Sequence, residues 1–171
     1  MSQEDLTIRR ATPNDAAGVA RVINEAILGG SPSLLDTPFS EDDERAFILA
    51  LPPRAFIHVA ELPGEGIVGA QTITLAADFT TRELDHVATM GTWVAARFRR
   101  RGIGRRLADA SLAAARESGF EKIFTDIRAD NLVSLGFHLS LGFRVVGTAV
   151  RHAKVGGRYH DVWLVERQLQ E

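Results

Sequence analysis

Residues 97 to 106 read Arg97-Phe98-Arg99-Arg100-Arg101-Gly102-Ile103-Gly104-Arg105-Arg106. They fall where a strand-like run, His86 to Ala96, gives way to apolar residues at helical spacing: Ile103, Leu107, Ala110 and Ala114. The first turn of a helix carries about half a positive charge and favours Asp or Glu. This first turn holds arginines and no acid, an arrangement that is disfavoured unless an anion binds there. Gly102 and Gly104 let main-chain N–H groups approach a ligand closely. A helix dipole, exposed amides and flanking guanidinium groups together describe a phosphate site. The alternative is a solvated basic loop whose glycines serve only the turn.

Other phosphate motifs fit poorly. The dinucleotide fingerprint needs a third glycine where Leu107 stands, and the P-loop needs Lys followed by Ser or Thr, which do not follow Gly104. A formal net charge of -2 and the lack of aromatics interleaved with the arginines argue against nucleic acid as a partner. With no cysteine, disulfides, thiolate metal sites and a cysteine nucleophile are excluded. His58, His152 and His160 lack metal-ligand spacing, so no metal is expected.

The remaining pattern places the other elements. Leu6 to Ala11 reads as a short strand, and Thr12-Pro13-Asn14-Asp15 as a helix start, with Val19, Ile23 and Ile27 on one face. Ser40 reads as the cap of a second helix that ends at Pro52-Pro53. Ala55 to Glu61 and Gly66 to Leu75 read as a hairpin. Ile123 to Ile127 reads as a strand, Leu132 to Ser140 as a short helix, and Phe143 to Val150 and Tyr159 to Gln168 as strands. This order predicts a mixed sheet with helices on both faces, in one domain spanning 1–171. The acidic start lacks a signal-peptide pattern and no apolar run is long enough for a membrane span, so a cytoplasmic protein without a membrane partner is expected.

The segment Val94 to Gly104 resembles motif A of the GNAT N-acetyltransferases, Arg/Gln-x-x-Gly-x-Gly/Ala after a strand. Asn131 to Phe143, with Ser134, Phe137, His138, Leu141 and Gly142, resembles motif B. The tail Gly147 to Leu169 resembles the phosphinothricin and L-amino-acid acetyltransferase branch, and the likeness extends to the opening Ile8 to Thr12. The resemblance implies a mixed α/β fold (α+β by some schemes). Its sheet would be mostly antiparallel, of six to seven strands, with a bulge in the central strand His86 to Ala96. It implies acetyl-CoA as the acetyl donor, a small-molecule amine such as an amino acid as acceptor, and a homodimer.

Carried onto this chain, the resemblance gives main-chain amides near Trp93, Val94 and Ala96 to the pantetheine arm and the thioester carbonyl. It gives Arg99, Arg100, Arg101, Gly102, Ile103, Gly104, Arg105, Arg106 and Leu107 to the pyrophosphate. Asn131 would touch the pantetheine, cap the following helix, or do both. His138 stands where relatives commonly carry a tyrosine that protonates the departing thiolate, so it is either that donor or a passive cofactor contact. For the base that neutralises the amine, His86 is preferred over Glu83, Asp85, Asp126 and Asp161, and a water chain serves equally. Phe39, Phe56, Phe79 and Trp93 line an acceptor pocket or pack in the core. Two other functions remain open at this level. One is acetylation of a protein N-terminus or lysine, and the other is a non-catalytic acyl-CoA sensor.

Overall fold

A computed structural model of the chain describes residues 5–76 and 81–170. Phe79 lies outside them. Seven strands form one sheet: β1 (Thr7–Arg10), β2 (Phe56–Leu62), β3 (Gly66–Leu75), β4 (Val87–Val94), β5 (Lys122–Arg128), β6 (Arg144–Val155) and β7 (Arg158–Gln168). Their order is β1-β2-β3-β4-β5-β7-β6. Every pairing is antiparallel except β4 with β5. Among the described residues four α-helices accompany them: α1 (Ala16–Leu28), α2 (Glu41–Ala50), α3 (Ile103–Glu117) and α4 (Leu132–Ser140).

Local chemistry explains where the helices begin. Ser40 Oγ accepts the Asp43 N–H (3.1 Å), and Asp43 accepts the Ser40 N–H in return (3.0 Å), closing a capping box at α2. The expected start at Pro13 is a 3₁₀ turn, Pro13–Asp15, that runs into α1. Asp15 fixes this corner by accepting the Thr12 N–H (2.7 Å) while pairing with Arg9 through both oxygens. The Arg9 guanidinium holds the Asp15 carboxyl down to about 2, below the usual carboxylate range.

The helices lie on opposite faces. His58 and Gln71 are register partners on β2 and β3, and His58 Nδ1 sits 2.9 Å from Ser111 Oγ of α3, which marks the α3 face. Val59 and Ala70 point the other way, into the core shared with Val19, Val22 and Ile23 of α1. The buried stripe of α3 is Ile103, Leu107, Ala108, Ser111, Leu112 and Ala115, so Ala110 and Ala114 flank it rather than centre it. The last hairpin is longer than the sequence suggested. β6 continues past Val150 to Val155 across register shifts between Val145 and Gly147 and between Ala149 and Ala153. Past Val150 the strand carries the exposed polar residues Arg151, His152 and Lys154, as an edge strand can, and that hides its end in a sequence.

Candidate active site

Among the described residues, the only parallel pair in the sheet is also its shortest. β4 and β5 pair at Val87↔Lys122 and Ala88↔Ile123 and no further. Beyond that point a side chain replaces the ladder: Thr125 Oγ1 donates to the Met90 carbonyl (3.1 Å). Past Thr125 no ladder pairing joins the two strands among the described residues, and this unpaired stretch, up to Val94 and Arg128, is the wedge. A bulge was expected to cause this opening. The β4 ladder with β3 instead keeps one register from Ala88 to Val94, so the wedge arises from lost pairing with β5.

Ladder parity decides which groups face the wedge. The bonds Ala76 N–H to Val87 O and Ala95 N–H to Val68 O fix the odd-numbered residues of β4 as bonded to β3. Thr92 and Val94 therefore turn their main-chain groups toward the wedge, whereas the Trp93 amide belongs to the β3 ladder with Ala70. Ala96 is also committed, donating its N–H to Glu25 Oε1 of α1 (2.7 Å). Of the three amides expected to meet the pantetheine arm, only Val94 is open to the wedge. Thr92, which the sequence reading missed, joins it.

The wedge ends at the start of α3. Gly102 is the N-cap at φ 77°, a left-handed conformation that suits glycine. Arg106 N–H is bonded to Gly102 O (3.0 Å), and the preceding helical amides, on Ile103, Gly104 and Arg105, come too early in the helix for an intrahelical partner. The arginines divide their work. Arg99 Nε returns to Val94 O (2.9 Å), Arg97 pairs with Glu65, and Arg105 pairs with Asp109 (2.9 Å). Arg106 donates to Leu6 O (2.8 Å) and Leu107 is fully buried. Arg101 stacks toward Phe98, with its guanidinium 5.4 Å from the ring centroid. Arg100 is exposed, takes φ 59°, and has no side-chain partner among the described residues.

The two histidines singled out from sequence sit in very different places. His138 is 5% exposed, edge-on to Phe137 and Phe143. Its Nδ1 lies 2.8 Å from the Ser134 carbonyl, which can only accept, so Nδ1 carries the proton of the neutral ring. Nε2 is then a bare acceptor, buried and without a partner. Burial also lowers the pKa of His138, which opposes a charged ring able to donate from Nε2. His86 is exposed at the closed end of the wedge, where its carbonyl accepts from Glu121 (2.9 Å) and Lys122 (3.3 Å). The paired stretch of β4 and β5 separates it from the opening.

Asn131 takes the capping role: its Oδ1 accepts the Ser134 N–H (3.0 Å), and its Nδ2 donates to Pro32 O. Trp93 lies flat along β4. A Cβ at Gly91 would sit 2.3 Å from its ring, so that glycine is what admits the indole. Phe56 is buried, and Phe39 packs against the α1 core. Among the described residues no group of three or more His, Asp or Glu side chains could hold a metal.

A splayed parallel pair, cleft-facing amides and an arginine-flanked helix start can be compared with known proteins. The acetyltransferase (GNAT) family model matches residues 23–143. The chain belongs to the GNAT acetyltransferase family. It is accordingly an acetyl-CoA-dependent N-acetyltransferase. This GNAT protein is 27% identical over 171 residues to the L-amino acid N-acyltransferase MnaT of Escherichia coli (strain K12), covering 97% of the chain and 95% of the relative. Its fold matches that of the Salmonella typhimurium acetyltransferase yncA, solved with acetyl-CoA, at TM-score 0.88 and 24% identity over 98% of the chain and 95% of the neighbour. It also matches a phosphinothricin acetyltransferase from Sinorhizobium meliloti, solved in complex with acetyl-CoA, at TM-score 0.88 and 20% identity over 98% and 90%.

Proposed function

We propose that this GNAT protein acetylates the primary amine of a small molecule, an amino acid or amino-acid analogue. The observation that carries the reading is the wedge itself: main-chain donors at Thr92 and Val94 follow the Thr125–Met90 vertex along β4, and the free amides of Ile103, Gly104 and Arg105 follow them in the chain. The residues present fit an extended thioester with a diphosphate at one end. The amides of Ile103, Gly104 and Arg105 and the side chains of Arg99, Arg100, Arg101 and Arg105 would hold the diphosphate. The Thr92 and Val94 amides would hold the pantetheine arm. Bound acetyl-CoA supplies an acyl carbon already activated by its thioester link.

The protein's part is positioning and charge. A cleft-facing N–H beside the thioester carbonyl stabilises the negative charge that develops on oxygen as the amine adds, and one such donor is typically worth about 3 kcal/mol. His138 is left out of the proton path. It holds its proton on Ser134 and packs α4, so the thiolate takes its proton from the attacking nitrogen or from water. The likeness to the L-amino acid N-acyltransferase supports the choice of acceptor. The homodimer implied by the branch is part of this reading, and the long edge strand β6 exposes Val145, Val146 and Val150 for such a contact.

Thiol release from acetyl-CoA, measured against a panel of L-amino acids, tests the proposal. Amine-dependent turnover that persists in His138→Gln is expected. Coenzyme A binding without turnover on any amine would contradict it and favour a sensor.

A further inference from the structure

β5 presents one unpaired charge beside the vertex of the wedge. Side chains alternate along a strand. Ile123, Thr125 and Ile127 are buried, whereas Lys122, Phe124, Asp126 and Arg128 share the opposite face. Ala88 and Ile123 are register partners on the α3 face, so the Asp126 row lies on the α1 face. α1 packs on β3 and β4 on this face, and Asp126 itself is open to solvent. Two of the three charges on the row are neutralised locally: Lys122 pairs with Glu166, and Arg128 pairs with Asp130 through Nη2 (2.6 Å). Asp126 is exposed and has neither a hydrogen bond nor an ion pair among the described residues. It immediately follows Thr125, whose hydroxyl closes the vertex.

The chain leaving α1 completes the surroundings. It passes from the β4 side to the β5 side, and its Pro32 and Ser33 carbonyls are held by Asn131 and by Arg128 Nη1 (3.2 Å for the latter). Asn24 holds the far end of this strap, accepting the Phe39 N–H (2.9 Å) and donating to the Phe39 carbonyl (2.7 Å). The strap thus bounds the same face on which Asp126 stands.

We infer that Asp126 receives the acceptor's ammonium group and removes its first proton. The inference rests on the small-amine reading above. A carboxylate with no local counter-charge attracts a cation, and this one stands one residue from the point where the wedge closes. The chemistry balances. The ammonium gives one proton to the Asp126 carboxylate, which later returns it to solvent. The neutral nitrogen forms the new bond to the acyl carbon, and the C–S bond breaks. The second nitrogen proton leaves to the thiolate, directly or through water.

Asp126→Asn and Asp126→Glu, assayed with L-amino acids and with hydroxylamine, test the inference. Hydroxylamine is already neutral at the assay pH and has no first proton to give up. For Asp126→Asn, a fall of about 10²-fold in kcat/KM for amino acids is expected, with hydroxylamine turnover and the KM for acetyl-CoA unchanged. Asp126→Glu should recover part of the loss. Equal losses on both nucleophiles, or no loss on either, would overturn the inference. If the wild type acetylates no amino acid but does acetylate hydroxylamine, the acceptor reading beneath it is what fails.

Discussion

Thr125 on β5 donates its hydroxyl to the Met90 carbonyl on β4 across 3.1 Å, at the point where the main-chain ladder between these strands has ended. One side chain thereby sets how far the wedge penetrates the sheet. Thr125→Val keeps the shape of the side chain and leaves the Met90 carbonyl without its donor. Denaturant unfolding should show a loss of about 1–2 kcal/mol. The KM for acetyl-CoA should rise, because the vertex that limits the arm is loosened.

Gly91→Ala tests the wall of the wedge. The added methyl would collide with the Trp93 ring, which must then leave its place along β4. Overpacking of this kind costs about 1–3 kcal/mol. The variant should lose stability, shift its tryptophan fluorescence and lower kcat/KM for the amine.

Much of this arrangement was legible in the sequence. The bounds of α4 and β3 agree with the spacing of apolar residues and turn glycines, and the arginine-glycine turn marks the start of α3. Less visible was which amides face the wedge. That depends on the parity of the β3–β4 ladder, and a run of apolar and small residues looks the same in either register. So Trp93 was preferred and Thr92 overlooked. Glu25 reaches Ala96 across 71 positions of sequence, a contact no local pattern announces. His138 was a candidate donor or a passive contact by its place in motif B, whereas its burial and its bond to Ser134 are tertiary facts. His86 precedes β4 at its paired end, a placement along the sheet that its sequence neighbours do not announce.

Arg100 separates stability from ligand binding. At φ 59° it occupies a left-handed conformation that costs a non-glycine residue about 1–2 kcal/mol. Arg100→Gly should raise the unfolding midpoint while raising the KM for acetyl-CoA, since it removes strain and an unpaired guanidinium together. A calorimetric melt and a saturation curve on one preparation would show the two effects moving in opposite functional directions.

Acid stability should report His58. Burial, with a smaller effect from Arg10, lowers its pKa from the ordinary 6.5 to about 4. Between those values the unfolded chain binds a proton that the folded protein resists, so stability falls as pH drops from 6.5 toward 4. This contribution amounts to about 3 kcal/mol when fully expressed. It is absent above pH 6.5, where both states hold a neutral ring. Denaturant unfolding of the wild type and of His58→Gln across this window checks it, with the variant expected to show the shallower slope.

Amide hydrogen exchange at single residues, with and without coenzyme A, reads the wedge at its binding groups. Thr92, Val94, Ile103, Gly104 and Arg105 are expected to exchange readily in the free protein and to become protected when the ligand binds. Trp93, already in the β3 ladder, should be protected in both states. Protection of Thr92 and Val94 without ligand, or no change at these five amides under saturating coenzyme A, would contradict it.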